Sequence, residues 1–304
     1  MQKPTVSSWA MLIALSLIWG ASFLGVSVAL TGFDPIWVAA MRIALGALAL
    51  VGVALASGVV LPDRHTADGR RIWLHAFGFA IFSNAVPFTL LSWAQLQVTS
   101  GFAGITMAVV PLFVLPLAHV FIPGEQMSLR KTLGFLLGFA GVIVLVGPAA
   151  LGGMGDTSEN IARLACVAAS GCYACGGIIT RLAPKGPMMS FSAAGLLLAA
   201  VLILPIAYLL GGPPGTGNGT AWAALIYPGL FPTALATILL VQVIKTAGPT
   251  FLSLVNYQVP IWAVIFGLVF LSEALPPSFL SALGLILAGL ALSQTQRRTP
   301  RVNG

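Results

Sequence analysis

Charge is what this sequence has least of. Only 7% of its 304 residues are Asp, Glu, Lys or Arg, while 58% are hydrophobic. Soluble domains carry about 25% charge, so a water-soluble globular domain is excluded. Apolar runs of about 20 residues, long enough to cross a bilayer, recur along the whole chain. The net charge of +7 is spread one to three residues at a time between these runs. Such scatter orients helices in a membrane and makes no nucleic-acid surface. Cysteine is also scarce. Cys166, Cys172 and Cys175 share one apolar run, which gives neither a disulfide framework nor a complete zinc site. No metal or cofactor is expected. The first run, starting near Trp9, lacks a long basic leader and does not read as a cleavable signal peptide.

What is present is repetition. Phe102 and Pro111 recur as Phe251 and Pro260, 149 positions on, and Leu90-Leu91 recurs as Leu239-Leu240 at the same offset. Glu125 pairs with Glu273, and Ala140-Gly141 with Ala288-Gly289, at an offset of 148. The predicted fold is an all-α polytopic membrane protein of ten transmembrane helices in two inverted five-helix repeats, residues 1–150 and 151–304. The spans run roughly 9–30, 35–57, 72–95, 99–121, 127–148, 160–182, 189–210, 220–244, 248–271 and 276–295. Gly and Pro punctuate the gaps. With the N-terminus cytoplasmic, twelve basic residues fall on the cytoplasmic side: Lys3, Arg64, Arg70, Arg71, Arg130, Lys131, Arg181, Lys185, Lys245, Arg297, Arg298 and Arg301. Only Arg163 falls outside, and Arg42 lies within a span. The sorting predicts cytoplasmic N- and C-termini. Five helices per half is odd, so the second copy enters the membrane upside down, the geometry of alternating access.

The combination of Trp19-Gly20, Arg42, Pro111, Pro260, Gly124-Glu125 and Ser272-Glu273 with a doubled five-helix unit resembles the ten-helix EamA-type branch of the drug/metabolite transporter superfamily. The resemblance covers nearly the whole chain. It implies a transporter in the bacterial inner membrane that exports aromatic and other neutral amino acids or similar amphipathic metabolites, with no oligomer required. Small multidrug exporters of that superfamily need a Glu in helix 1, where this chain has Trp19-Gly-Ala-Ser22-Phe23. No Asp or Glu lies within any predicted span, so a proton-coupled cation exporter of that design is disfavoured.

Polar groups at mid-membrane tend to line cavities. On helix 9, Ser253, Asn256, Tyr257 and Pro260 fall on one helical face, with Gln258 beside it. Their mates on helix 4 are Gly104, Met107, Ala108 and Pro111. A polar wall facing an apolar one suits an amphipathic ligand. The candidate substrate-binding residues are Trp19, Ser22, Phe23, Asn84, Phe88, Tyr173, Asn256, Tyr257 and Gln258; for each, interhelical packing or bonding stands as the alternative. Arg42, the one clear intramembrane charge, either meets a substrate carboxylate or ties helices together. Pro111 and Pro260 are candidate hinges, static curvature being the alternative. Glu125 and Glu273 are read as N-terminal caps of helices 5 and 10. The Gly134, Gly138, Gly141 stripe, with Ala282, Gly284 and Gly289, is read as a close-packing face.

Other classes fit less well. Gly20-Ala-Ser22-Phe23 lies near an intramembrane serine-protease pattern, but Phe23 stands where Gly is needed and the base would have to be His119. A channel would need rings of carbonyls or charges. Within transport, a sugar phosphate or nucleotide sugar calls for Lys or Arg pairs in helices 4 and 9, and these are absent; a drug is the remaining alternative solute.

Overall fold

The structure is a computed structural model and describes residues 4–147, 157–274 and 276–294. The described residues form helices α1 (Val6–Ala29), α2 (Pro35–Ala56), α3 (Ala67–Ala94), α4 (Ser100–Phe121), α5 (Leu129–Val146), α6 (Thr157–Leu182), α7 (Met188–Gly211), α8 (Gly219–Ala247), α9 (Val255–Leu271) and α10 (Pro277–Gln294). Nine are long and apolar enough to cross a membrane, and α9 is a shorter apolar helix. The chain is an all-helical multi-pass membrane protein. Lys3, Asp156, Arg297, Arg298 and Arg301 lie outside the described residues.

Helix starts follow local chemistry. The hydroxyls of Thr5, Thr66, Thr99 and Ser128 and the amide oxygen of Asn218 each accept a backbone N–H in the first turn of α1, α3, α4, α5 and α8. Pro35 opens α2, where no N–H is needed. The α9 span starts later than the sequence suggests. A short helical turn, Pro249–Leu252, comes first; the chain then tightens, with Asn256 N–H bonded to Ser253 O and Tyr257 N–H to Leu254 O, before α9 proper. Its repeat mate behaves alike: α4 tightens into a 3₁₀ turn at Met107–Val109, just before Pro111.

The packing pairs are systematic. α5 lies along α10, α2 along α7 and α4 along α9. α1 packs on α8 and α9, and α6 on α3 and α4; α2 meets α8, and α7 meets α3. Exchanging the first five helices with the last five maps this set of pairs onto itself. In lipid, such contacts rest on van der Waals fit rather than on expulsion of water. The α5–α10 seam is close: a Cβ built on Gly134 would stand 2.5 Å from Gly289 O. Gly138, Gly141 and Ala282 share this seam, whereas Gly284 faces open space.

Contacts between loops show which helix ends lie together. At one end Arg181 reaches Glu125 at 3.0 Å, Lys131 reaches it at 3.2 Å, and Ser190 Oγ donates to Val60 O at 2.7 Å. At the other end Arg163 Nη1 donates to Val146 O at 2.9 Å, and Trp37 Nε1 to Gly212 O at 3.0 Å. The basic loops described thus gather at one end, with Arg163 opposite.

Glu273 departs from its expected role. Its carboxylate accepts Ser100 N–H at 2.7 Å and Gly101 N–H at 3.0 Å, so it caps α4 from the α9–α10 loop instead of capping α10. Four free N–H groups and the helix dipole make that start a good seat for a carboxylate. Glu125, for its part, does not cap α5. Ser128 caps α5, and Glu125 lies between Arg181 and Lys131, which hold its carboxyl below the usual carboxylate range.

Candidate functional site

The mid-membrane polar groups gather around two matched distortions. α3 widens into a π-turn at Ile81–Ala85, where Val86 N–H bonds Ile81 O. α8 does the same at Gly229–Leu235, where Ala236 N–H bonds Phe231 O. These are repeat-related positions, and each is flanked or filled by a proline, Pro87 and Pro232. A π-turn frees carbonyls inside the membrane, where water is absent, so other donors must serve them. Pro232 has no N–H for Pro228 O; the Thr233 hydroxyl donates to that oxygen at 2.8 Å. At the matching site Asn84 Nδ2 donates to Phe79 O at 3.2 Å. Pro232 O takes Trp19 Nε1 at 3.0 Å.

Arg42, on α2, closes this group. Its guanidinium carbon sits 3.8 Å from the centre of the Phe88 ring, and its Nε donates to Thr233 Oγ1 at 3.4 Å. Tyr173 lies with its ring centroid 6.3 Å from that of Phe88. Tyr173 and Tyr227 both lie in the neighbourhood of Arg42. The Tyr227 hydroxyl donates to Ile18 O at 3.1 Å. Trp19, Arg42, Phe88, Tyr173, Tyr227 and Thr233 thus come together from α1, α2, α3, α6 and α8. Arrangements of this kind, with aromatic faces around one cation, accept a ring and an anion together. Tyr227 and Thr233 were not among the candidates read from the sequence. Nothing in the sequence singled out Tyr227, and only the offset of 149 from Asn84 pointed to Thr233.

Of the remaining candidates, Asn84 sits in the α3 π-turn itself and the others lie elsewhere. Ser22 and Phe23 are buried, Phe23 lying against Gly104 of α4. Asn84 is buried, and its amide serves its own helix. Gln258 Oε1 accepts from Ser16 Oγ of α1 at 3.1 Å. Asn256 and Tyr257 are half-buried on α9, which packs on α1 and α4 rather than on α2. Pro260 is buried within α9, and Pro111 opens the second part of α4. Two hollows are found near helix ends. One, of about 290 Å³, is lined by Val60, Pro62, Thr180, Lys185 and Ser190 among others. The other, of about 320 Å³, surrounds His119 to Gln126. Neither contains a member of the Arg42 group. Among the described residues no group of His, Cys, Asp and Glu is arranged to hold a metal.

The comparisons with known proteins agree with this architecture. The chain is 26% identical over 289 residues to the aromatic amino acid exporter YddG of Ancylobacter novellus, covering 94% of this chain and 97% of that protein. It is 26% identical over 299 residues to the probable terminal-alkyne amino-acid exporter of Streptantibioticus cattleyicolor, covering 98% and 95%. It is 26% identical over 285 residues to the inner membrane transporter YedA of Escherichia coli, covering 92% and 88%. A solved crystal structure, 24% identical, superposes with a TM-score of 0.67 over 94% of this chain and 98% of its own, which establishes likeness of fold. The profile of the EamA-like transporter family matches residues 7–147 and again residues 160–295. The chain belongs to the EamA-like transporter family.

Proposed function

We propose that the protein is a secondary transporter of the bacterial inner membrane that exports small amphipathic metabolites, aromatic and other neutral amino acids above all. The observation that carries this reading is the meeting of Trp19, Arg42, Phe88 and Tyr173 at the matched π-turns of α3 and α8. A ring slot beside one cation suits an aryl side chain next to a carboxylate. Two relatives named as amino-acid exporters support the solute class.

The two halves, 1–150 and 151–304, act as an inverted pair with both termini cytoplasmic. The double family match and the exchange symmetry of the helix pairs support this. The substrate passes by alternating access, with Asn256, Tyr257, Ser22 and Asn84 on its path and Pro111 and Pro260 as hinges beside the tightened turns of α4 and α9. The lack of a carboxylate in a helix interior among the described residues supports transport down the solute's own gradient over proton coupling through a buried acid. The test is export from cells preloaded with labelled tryptophan. Expression should speed efflux, and Asn256→Ala and Tyr257→Phe should slow it at normal protein levels. Wild-type efflux in both variants would move the path off α9.

A further inference from the structure

The Arg42 guanidinium is under-bonded. It carries five N–H donors and cannot lose its charge. One donor, on Nε, meets Thr233; Nη1 and Nη2 have no protein acceptor among the described residues. Ser100 Oγ is the only fully enclosed side-chain nitrogen or oxygen among the described residues without a partner, so the free Arg42 nitrogens are not fully enclosed. No carboxylate among the described residues balances them. The described ion pairs are Glu125 with Lys131 and Arg181, and Glu159 with Arg163, all at helix ends. Glu273 is taken by α4. A cation held in a membrane interior with no counter-charge favours an incoming anion. The guanidinium presents its two free nitrogens side by side, the fork that matches a carboxylate. Phe88 covers its face, leaving the edge to the ligand. Nothing in the same group offers an anion to an ammonium.

The geometry points to a site that reads the carboxylate of its ligand and not the ammonium, so that aryl carboxylates lacking the α-ammonium, such as aromatic 2-oxo or 2-hydroxy acids, are ligands in their own right. This inference rests on the proposed transport reading and extends it to a second substrate class. It also has an energetic consequence. A zwitterion moves no net charge, whereas an aryl carboxylate moves one. A potential of 100 mV then weights its distribution by roughly 50-fold, toward the exterior when the interior is negative.

Purified protein in liposomes tests this with labelled phenylalanine counterflow and two unlabelled competitors. 3-Phenylpropionate keeps the carboxylate and lacks the ammonium; phenethylamine keeps the ammonium and lacks the carboxylate. The expected result is that 3-phenylpropionate competes within a few-fold of phenylalanine itself, and phenethylamine at least tenfold more weakly. Arg42→Gln should weaken 3-phenylpropionate by tenfold or more, with Arg42→Lys between. Equal competition by the two compounds, or unchanged competition in a folded Arg42→Gln, would overturn the carboxylate anchor. The wild-type comparison decides the matter even if Arg42→Gln does not fold. Absence of phenylalanine counterflow would instead count against the amino-acid reading. The anchor is then tested alone by thermal stabilisation of wild-type protein, which 3-phenylpropionate should raise and phenethylamine should not; no difference between the two would overturn it.

Discussion

Glu125 and Glu273 stand 148 positions apart in matching sequence contexts, and replacing each by Gln should have unequal effects. Glu273 accepts two backbone N–H groups at the start of α4, at 2.7 and 3.0 Å. Hydrogen bonds to a charged group contribute about 1.5–3 kcal/mol each. Gln keeps the shape but offers one acceptor, and its NH₂ faces an N–H that then has no partner. Losing one charged bond and weakening the other costs about 2–5 kcal/mol. Glu125 is about one-third exposed and bonds only to flexible cations, Lys131 and Arg181. Pairs of that kind contribute about 0–1 kcal/mol. Thermal unfolding in detergent, followed by the fluorescence of the seven tryptophans, should therefore show a clear drop in Tm for Glu273→Gln and little change for Glu125→Gln. Equal Tm values for the two variants would refute the capping role of Glu273.

Three further outcomes follow from the same structure. Gly134→Val places a side chain against Gly289 O, 2.5 Å from its Cβ; it should separate α5 from α10 and lower the yield of monodisperse protein on size exclusion, while Gly284→Val, at a position facing open space, should not. Trp19→Phe removes the donor to Pro232 O and should cost about 0.6–1.7 kcal/mol, the range for interhelical bonds in membranes, read as a modest Tm loss. The depressed carboxyl of Glu125 means that its pairs with Arg181 and Lys131 stabilise the fold above the ordinary carboxylate range and are lost as pH falls through the lowered value. The small Tm difference between wild type and Glu125→Gln should vanish in acid.

The spans were legible because lipid demands long apolar runs, and the basic residues sorted by loop because each end of the bundle collects its own loops. Matching positions in the two halves were legible as sequence offsets of 148 and 149. Their bonding was not. Glu273 finds Ser100, 173 positions away, and Glu125 finds Arg181, 56 positions away; periodicity says nothing of partners so remote. The π-turns left only an indirect trace, Pro87 and Pro232, since a proline announces a missing bond but not how the helix repairs it. Arg42 stood out as the one charge within a span, yet its seat on Phe88 depends on how α2 and α3 meet. Gln258 illustrates the limit in the other direction: its depth in the membrane was readable, and its choice of Ser16 was not.

Transport of a solute by this protein alone is the central claim, and counterflow measures it most directly. Liposomes containing only this protein, loaded with unlabelled tryptophan and diluted into a trace of labelled tryptophan, should accumulate label transiently with no imposed ion gradient, because a carrier exchanges bound solute across the membrane. Adding a protonophore should leave the result unchanged. No transient accumulation of any aromatic amino acid, or accumulation that appears only with a proton gradient, would contradict the account.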